Sequence, residues 1–151
     1  MKKLNLPSFQ ANIRQQEAKT EIFDVFRKKF VVLSPEEWVR QHFALFMVNE
    51  KQFPRGLLAL EYSITLESRK KRVDILAFSP EGKPLLAVEC KSPSVSINQK
   101  VFDQIARYNM AFKVDYLIVT NGLQHYACKL NYTTLTYQFI EEIPNFADLI
   151  S

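Results

Sequence analysis

The sequence predicts an α/β domain in which helices cover a mixed β-sheet, and three observations support this prediction. Residues 34–50 have the apolar spacing of an amphipathic helix. Residues 72–78 and 85–91 have the composition of strands and flank a turn that is rich in proline and glycine. Residues 114–120 form a continuous apolar run, which is typical of a central strand buried on both faces. A helix, a hairpin and a buried strand in this order predict helices packed on a sheet.

The chain before the first helix is predicted to form an arm and a short hairpin. Residues 1–20 are polar and only weakly periodic, so we expect an N-terminal arm with a helical stretch. Residues 21–33 alternate between apolar and polar positions around Arg27 and Lys28, which indicates two short strands joined by a turn.

The first helix has a clear start in the sequence. Ser34 is the expected N-cap, Pro35 suits the first helical position, and Glu37 stands three residues after the cap. Ser34 and Glu37 therefore have the spacing of a capping box, in which the two residues cap each other's backbone N–H groups. Apolar residues continue at helical spacing to about Glu50.

Turn residues and apolar periodicity define the later elements. In order, we predict a strand at 57–66, the two hairpin strands, a helix capped by Ser96 that runs to about residue 112, the buried strand, strands at 123–130 and 134–140, and a short helix or coil after Pro144. A chain of 151 residues has room for one domain. We divide it into an arm and hairpin at 1–33, a core at 34–130, and a C-terminal strand and tail at 131–151.

Composition narrows the class of protein. The content of 47% hydrophobic and 24% charged residues is ordinary for a globular protein, and no apolar run reaches the length of a membrane span. Two cysteines in apolar surroundings indicate a reducing compartment, so we expect a cytoplasmic protein. The net charge of +4 is compatible with a nucleic-acid partner. The sequence has no P-loop and no Gly-x-Ser-x-Gly motif, and His42 and His125 lack partners at zinc-binding spacing.

Three charged residues stand in segments that otherwise have the composition of buried strands. If Glu81 and Gly82 form a two-residue turn, antiparallel pairing places Asp74 opposite Glu89 on one face of the sheet. The two-residue period of a strand puts Lys91 on the same face. Burial of such charges is unfavourable unless they are paired or bind a cation, so we predict a metal site.

Two clusters of basic residues occur in the chain. The cluster at 27–29 is predicted to be a solvated turn. The other cluster comes directly before Asp74, where it is suited to hold a phosphate backbone over the carboxylates. Its four members are Arg69, Lys70, Lys71 and Arg72.

The order of elements and the spacing of the charges resemble a known nuclease superfamily. An Asp followed by Glu-x-Lys on the next strand of an αβββαβ core resembles the PD-(D/E)XK nucleases, although Val73 stands where the superfamily has its Pro. Residues 34–130 resemble more closely the nuclease domain at the N terminus of type I restriction enzyme R subunits. The stretches that carry the resemblance are Pro35-Glu-Glu-Trp-Val-Arg-Gln41, Lys71-Arg-Val-Asp-Ile75, Val88-Glu-Cys-Lys-Ser-Pro93, Gln104-Ile-Ala-Arg-Tyr108 and Val119-Thr-Asn-Gly122.

The resemblance implies a restriction-endonuclease-like fold and a Mg²⁺-dependent DNA endonuclease of restriction type that hydrolyses phosphodiester bonds. It implies that Asp74 and Glu89 are oxygen ligands of Mg²⁺, for which Mn²⁺ is a suitable substitute, and that the backbone carbonyl of Cys90 completes the shell. Lys91 would orient or deprotonate the attacking water and neutralise developing charge.

The resemblance also assigns roles to residues on the two helices. A Glu on the first helix joins the metal shell in this family, so Glu37 is expected to be either a ligand or only a helix cap. Gln104 and Tyr108 lie four residues apart on one helix face, where they would contact DNA or support the active site. Glu61 lies on the polar face of its strand, where we expect it either to be solvated or to support the metal-binding residues indirectly.

Other interpretations of the same residues stay open. One is a non-catalytic nucleic-acid-binding or assembly module that retains the fold and the acidic pair. Another is a structural network in which Asp74 and Glu89 only pair with nearby cations, at little net gain in stability. We expect DNA as a partner and no membrane, and we leave open a homodimer and separate motor or specificity subunits.

Overall fold

The computed structural model describes residues 1–150 and contains two β-sheets and three α-helices within that range. The elements in chain order are β1 (Ile13–Gln16), β2 (Lys19–Asp24), β3 (Lys29–Val32), α1 (Pro35–Asn49), β4 (Leu58–Leu66), β5 (Arg69–Phe78), β6 (Pro84–Cys90), α2 (Gln99–Asn109), β7 (Tyr116–Thr120), β8 (His125–Asn131), β9 (Thr136–Ile140) and α3 (Phe146–Ile150), with short 3-10 turns at Arg55–Leu57 and Met110–Phe112. Over residues 1–150, no helix is both long and apolar enough to cross a membrane.

The larger sheet confirms the predicted α/β class. Its six strands lie in the order β4-β5-β6-β7-β8-β9, with β6 and β7 parallel and the other neighbours antiparallel. Helix α1 packs on one face through Val39, Phe43 and Met47. Helix α2 packs on the other face through Phe102 and Ile105. The central strand β7 is buried from both sides, as its continuous apolar run predicts.

The first helix begins as predicted, whereas the second begins two residues later. The Ser34 hydroxyl accepts a hydrogen bond from the Glu37 backbone N–H at 3.0 Å. The N-cap of α2 is Asn98, whose side chain accepts from the Val101 N–H at 2.9 Å, so the prediction of Ser96 is wrong. Asn and Ser cap helices about equally well, so residue type alone does not choose between two candidates this close together.

The helical stretch predicted within residues 1–20 is wrong, because residues 1–12 form neither helix nor strand and residues 13–32 form a three-stranded antiparallel sheet in the order β1-β2-β3. The predicted hairpin corresponds to β2 and β3. Strand β1 is exposed along its whole length, so it has no apolar alternation to reveal it. Cross-strand polar pairs contribute to holding it in place: Arg14 contacts Glu21 at 2.8 Å, and Thr20 donates to Gln15 at 2.8 Å.

The β5–β6 hairpin has the predicted register but a different turn. Ile75 pairs with Val88, and the same register places Asp74 opposite Glu89. The two-residue turn at 81–82 is wrong, because the loop runs from 79 to 83 and Phe78 pairs with Pro84. A β-bulge between Ala77 and Phe78 shifts the register by one residue and so restores the pairing that the shorter turn would give.

Candidate active site

A cavity of about 590 Å³ lies between strands β5 and β6 and helix α2. It contains seven of the residues that the sequence predicts at the site, and of the other predicted side chains, Glu37, Arg69 and Lys71 do not line it. The lining residues are Lys70, Arg72, Asp74, Glu89, Lys91, Gln104, Ile105 and Tyr108. Carboxylates, cations and an aromatic ring therefore meet on one concave surface.

Asp74 is held at both of its carboxylate oxygens. Its Oδ2 accepts a hydrogen bond from the Cys90 backbone N–H at 2.6 Å, and its Oδ1 accepts from the Arg40 guanidinium at 3.1 Å. Only 12% of the Asp74 side chain is exposed. Contacts of this kind from β6 and α1 fix the orientation of the carboxylate before any ligand binds.

Glu89 carries the clearest electrostatic signature in the cavity. Burial and the negative charge of Asp74 raise the pKa of Glu89 to about 8, although Lys91 and Arg40 offset part of this effect. The ionised form is thus disfavoured because two carboxylates face each other in a partly buried space. A bound cation would relieve this repulsion, which is the property expected of a metal site.

Lys91 lies where β6 ends, and its backbone is fixed by the neighbouring strand. The Lys91 N–H donates to the Thr120 carbonyl at 2.8 Å. The Lys91 Nζ is 3.9 Å from Glu89 Oε2, and 35% of the side chain is exposed. The ammonium group therefore lies beside the Glu89 carboxylate and is partly exposed to solvent.

Glu37 lies outside the cavity, in a buried group of ion pairs. Its carboxylate accepts from Arg27 at 2.8 Å, from Gln41 at 2.9 Å, and from Arg40. The cap of α1 uses the Ser34 hydroxyl and the Glu37 backbone N–H. Within residues 1–150 the Glu37 carboxylate thus contacts side chains of the β2–β3 turn and of α1.

Arg40 is the residue at this site that sequence reasoning missed. It is buried on α1 and bridges three carboxylates: Glu37, Glu61 at 2.7 Å and Asp74 at 3.1 Å. Its Nε atom is buried and has no hydrogen-bond partner among the described residues. The available signal was its position three residues after Glu37, which places both side chains on one helix face.

Glu61 differs from the expectation of a solvated residue. It is half-buried, its φ is +54°, and its carboxylate pairs with Arg40 and with Arg72 Nε at 3.0 Å. A positive φ is rare for a residue with a side chain, so the strand is distorted at this point. The distortion lies across from Asp74, where the pairing of β4 with β5 is interrupted between Leu60 and Tyr62.

Helix α2 supports the basic strand through Tyr108. The Tyr108 hydroxyl accepts from the Arg72 backbone N–H at 2.9 Å, and Lys71 Nζ lies 4.7 Å from the ring centroid. Gln104 lies one turn earlier on α2 and also lines the cavity. The predicted pairing of these two helix residues on one face is confirmed by their position in the cavity wall.

The donor set fits a hard cation that keeps part of its water shell. The carboxylates of Asp74 and Glu89 line the cavity, and no group of three His, Cys, Asp or Glu side chains suited to a metal occurs in the described range 1–150. Mg²⁺ commonly binds through one or two carboxylates together with waters and substrate phosphates. The side chain of Cys90 contributes no thiolate, because burial raises its pKa well above the ordinary value.

Comparisons with known proteins agree with this description. Residues 35–144 match the family model described as type I restriction enzyme R protein N terminus. No curated protein sequence matches the chain. Among solved structures, the chain is similar to a fragment described as an HsdR subunit of a type I restriction enzyme from Vibrio vulnificus YJ016, with a TM-score of 0.55 and 20% sequence identity.

The extent of this similarity differs between the two chains. It covers 78% of this chain and 24% of the Vibrio vulnificus chain, so this chain spans about a quarter of that fragment's length. At this level of identity the similarity shows a shared fold. Strands β1 to β3 precede the residues that the family model matches.

Proposed function

This chain belongs to the family of type I restriction enzyme R protein N termini, and on that basis we propose that it is a Mg²⁺-dependent DNA endonuclease of restriction type. The observation that carries the proposal is the meeting of Asp74, Glu89 and Lys91 in one cavity. Lys70 and Arg72 line the same cavity, where they are suited to bind the phosphates on either side of the reacting group.

The roles proposed for the three central residues follow from their contacts. Asp74 and Glu89 would hold Mg²⁺, and Mn²⁺ would substitute for it. Bound there, the ion would supply Lewis-acid stabilisation of the phosphoryl oxygens and a more acidic water. Lys91 would orient the attacking water and neutralise charge that develops on the phosphoryl group, since its ammonium lies beside the Glu89 carboxylate.

Three further roles belong to the proposal. The Cys90 carbonyl would provide an additional oxygen ligand from the same stretch of β6. Glu37 would act at a distance, by holding the Arg40 guanidinium that in turn holds Asp74. Gln104 and Tyr108 would support the basic strand and the cavity wall from α2.

One observation favours a second candidate function, a nucleic-acid-binding or assembly module without catalysis. The Arg40 guanidinium already contacts Asp74 Oδ1, and a carboxylate with a cationic partner has less need of a metal. Burial and the negative charge of Asp74 raise the pKa of Glu89, and a bound cation would relieve that repulsion, so this shift supports the catalytic proposal.

The partners proposed are DNA and other protein chains. Cutting both strands of a duplex calls for two active sites, which a homodimer would supply. Subunits with motor or specificity functions are further partners that we propose.

The deciding experiment is a cleavage assay on plasmid DNA and oligonucleotides with Mg²⁺ or Mn²⁺. Asp74→Ala and Lys91→Ala should each abolish metal-dependent cleavage, while Lys83→Ala, an exposed loop lysine, should leave it intact. Unchanged cleavage in Lys91→Ala would overturn the assigned roles. Purified protein that binds DNA but cuts nothing with either metal would favour the second candidate.

A further inference from the structure

The hairpin of β4 and β5 extends beyond the rest of the sheet. Strand β5 pairs with β4 from Arg69 to Ala77, but with β6 only from Ile75 onward. Residues 63–72, which we call the distal arm, therefore form a two-stranded ribbon. All of its side chains are exposed except those of Ile64 and Lys71. A strand segment that is exposed on both faces projects from the body of the domain.

The distal arm is ordered by its own hydrogen bonds and by a support at its base. Its strands remain in register up to the pair of Leu66 and Arg69. Glu67 and Ser68 both have positive φ, at 52° and 64°, as in a type I′ turn, which matches the natural twist of a hairpin. At the base, the Tyr108 hydroxyl on α2 binds the backbone of β5. The ribbon would thus meet a ligand in a prearranged shape.

The charge of the distal arm is strongly positive on both faces. It contains four cations and one carboxylate, that of Glu67. Side chains alternate along a strand, so Lys70 and Arg72 share the face of Asp74, and both line the cavity. By the same alternation Arg69 and Lys71 start from the opposite face, and the Lys71 ammonium lies 4.7 Å from the centroid of the Tyr108 ring at the base of the arm. A flat anionic surface would contact only one face of the ribbon. A groove with phosphates on both walls would contact both faces of the ribbon.

We propose that the distal arm enters the major groove of B-form DNA and so positions the duplex over the neighbouring cavity. The major groove is about 12 Å wide and admits a two-stranded ribbon, whereas the minor groove, at about 6 Å, is too narrow. The statement that the bound duplex reaches the cavity rests on the proposed nuclease function. Lys70 lies four residues from Asp74, roughly 13 Å along the strand, which corresponds to about four base pairs from the reacting phosphate.

The test measures binding without cleavage, in EDTA, by fluorescence anisotropy. The probes are a 30-base-pair DNA duplex, an RNA duplex of the same sequence, and one of the DNA strands alone. RNA duplexes carry the same phosphates, but their major groove is too deep and narrow for side chains. The DNA duplex should bind tightest. Equal affinity for the two duplexes in the wild-type protein would overturn the proposal, whatever the cleavage assay shows.

A charge variant locates the effect in the distal arm. In Arg69→Ser/Lys70→Ser, affinity for the DNA duplex should fall on the order of tenfold to a hundredfold at 0.1 M salt. The slope of log K against log salt should fall by about 2. Affinity for the RNA duplex should change much less. Equal losses on both duplexes would instead indicate a general basic patch and would refute entry into a groove.

The matched control is Lys19→Ser/Lys29→Ser, which removes the same charge from two exposed residues of the N-terminal sheet. It should leave DNA affinity within about twofold and the salt slope unchanged. Wild-type protein that prefers the DNA duplex but cuts nothing with Mg²⁺ or Mn²⁺ would sink the nuclease proposal and leave the groove proposal standing.

Discussion

Replacing Glu89 by Gln should make the metal-free protein more stable at high pH, although Glu89 is proposed as an active-site residue. The folded-state pKa of Glu89 is about 8, against 4.5 for an unperturbed Glu. Between these values the folded state binds a proton that the unfolded state has lost. Stability therefore falls as pH rises from about 4.5 to 8, and the full penalty is present above pH 8.

The size of this penalty follows from the pKa difference. At about 1.4 kcal/mol per pKa unit, ionising Glu89 costs the folded protein at most on the order of 5 kcal/mol. Gln fills the same space without a charge. In EDTA, the unfolding free energy of Glu89→Gln should exceed that of the wild-type protein by a few kcal/mol at pH 9, and the two should converge near pH 4.

The assay is urea unfolding in EDTA at pH 4, 5, 7 and 9. Glu81→Gln, in the exposed turn, is the matched control and should follow the wild-type curve at every pH. His42 and His125 are present in all three proteins, so their titration cancels in the differences. Adding Mg²⁺ at pH 9 should stabilise the wild-type protein more than Glu89→Gln. Parallel stability curves for these two proteins in EDTA from pH 4 to pH 9 would refute the reasoning.

Three further changes test other parts of the fold. Arg40→Met should cost about 3–5 kcal/mol of unfolding free energy, because it leaves three carboxylates without their shared cation; a loss below about 1 kcal/mol by urea unfolding would contradict this. Asn98→Ala should cost about 1 kcal/mol, whereas Ser96→Ala should cost almost nothing, since only Asn98 caps α2. Gly122→Ala should cost about 2 kcal/mol or more, because φ is +87° there and the new Cβ would lie 2.8 Å from the Leu4 side chain; an unchanged melting temperature would argue against that close packing.

The parts of the fold that the sequence predicted are those whose signals are local. The start of α1 depends on Ser34 and Pro35, two adjacent residues with strong positional preferences. The prediction that Asp74 faces Glu89 required only counting residues along one hairpin. Strand β1 could not be predicted, because its pairing with β2 uses polar contacts that leave no apolar period in the sequence.

The missed part of the candidate site depends on contacts between distant segments. Arg40 joins α1 to Glu61 on β4 and to Asp74 on β5, and nothing within five residues of Arg40 indicates those partners. The sequence correctly predicted that Glu37 lies in the first turn of α1. Its choice of Arg27 and Arg40 as partners depends on how the N-terminal sheet lies against α1. Such contacts can be identified only when the tertiary arrangement is known.

The bulge between Ala77 and Phe78 has a consequence for how this fold tolerates change. Without such a bulge, a one-residue change in the length of the 79–83 loop would shift the register along the whole strand pair. Each side chain would then lie on the opposite face of the sheet. Here the bulge absorbs that offset within two residues, so the facing of Asp74 and Glu89 does not depend on a two-residue loop between the strands.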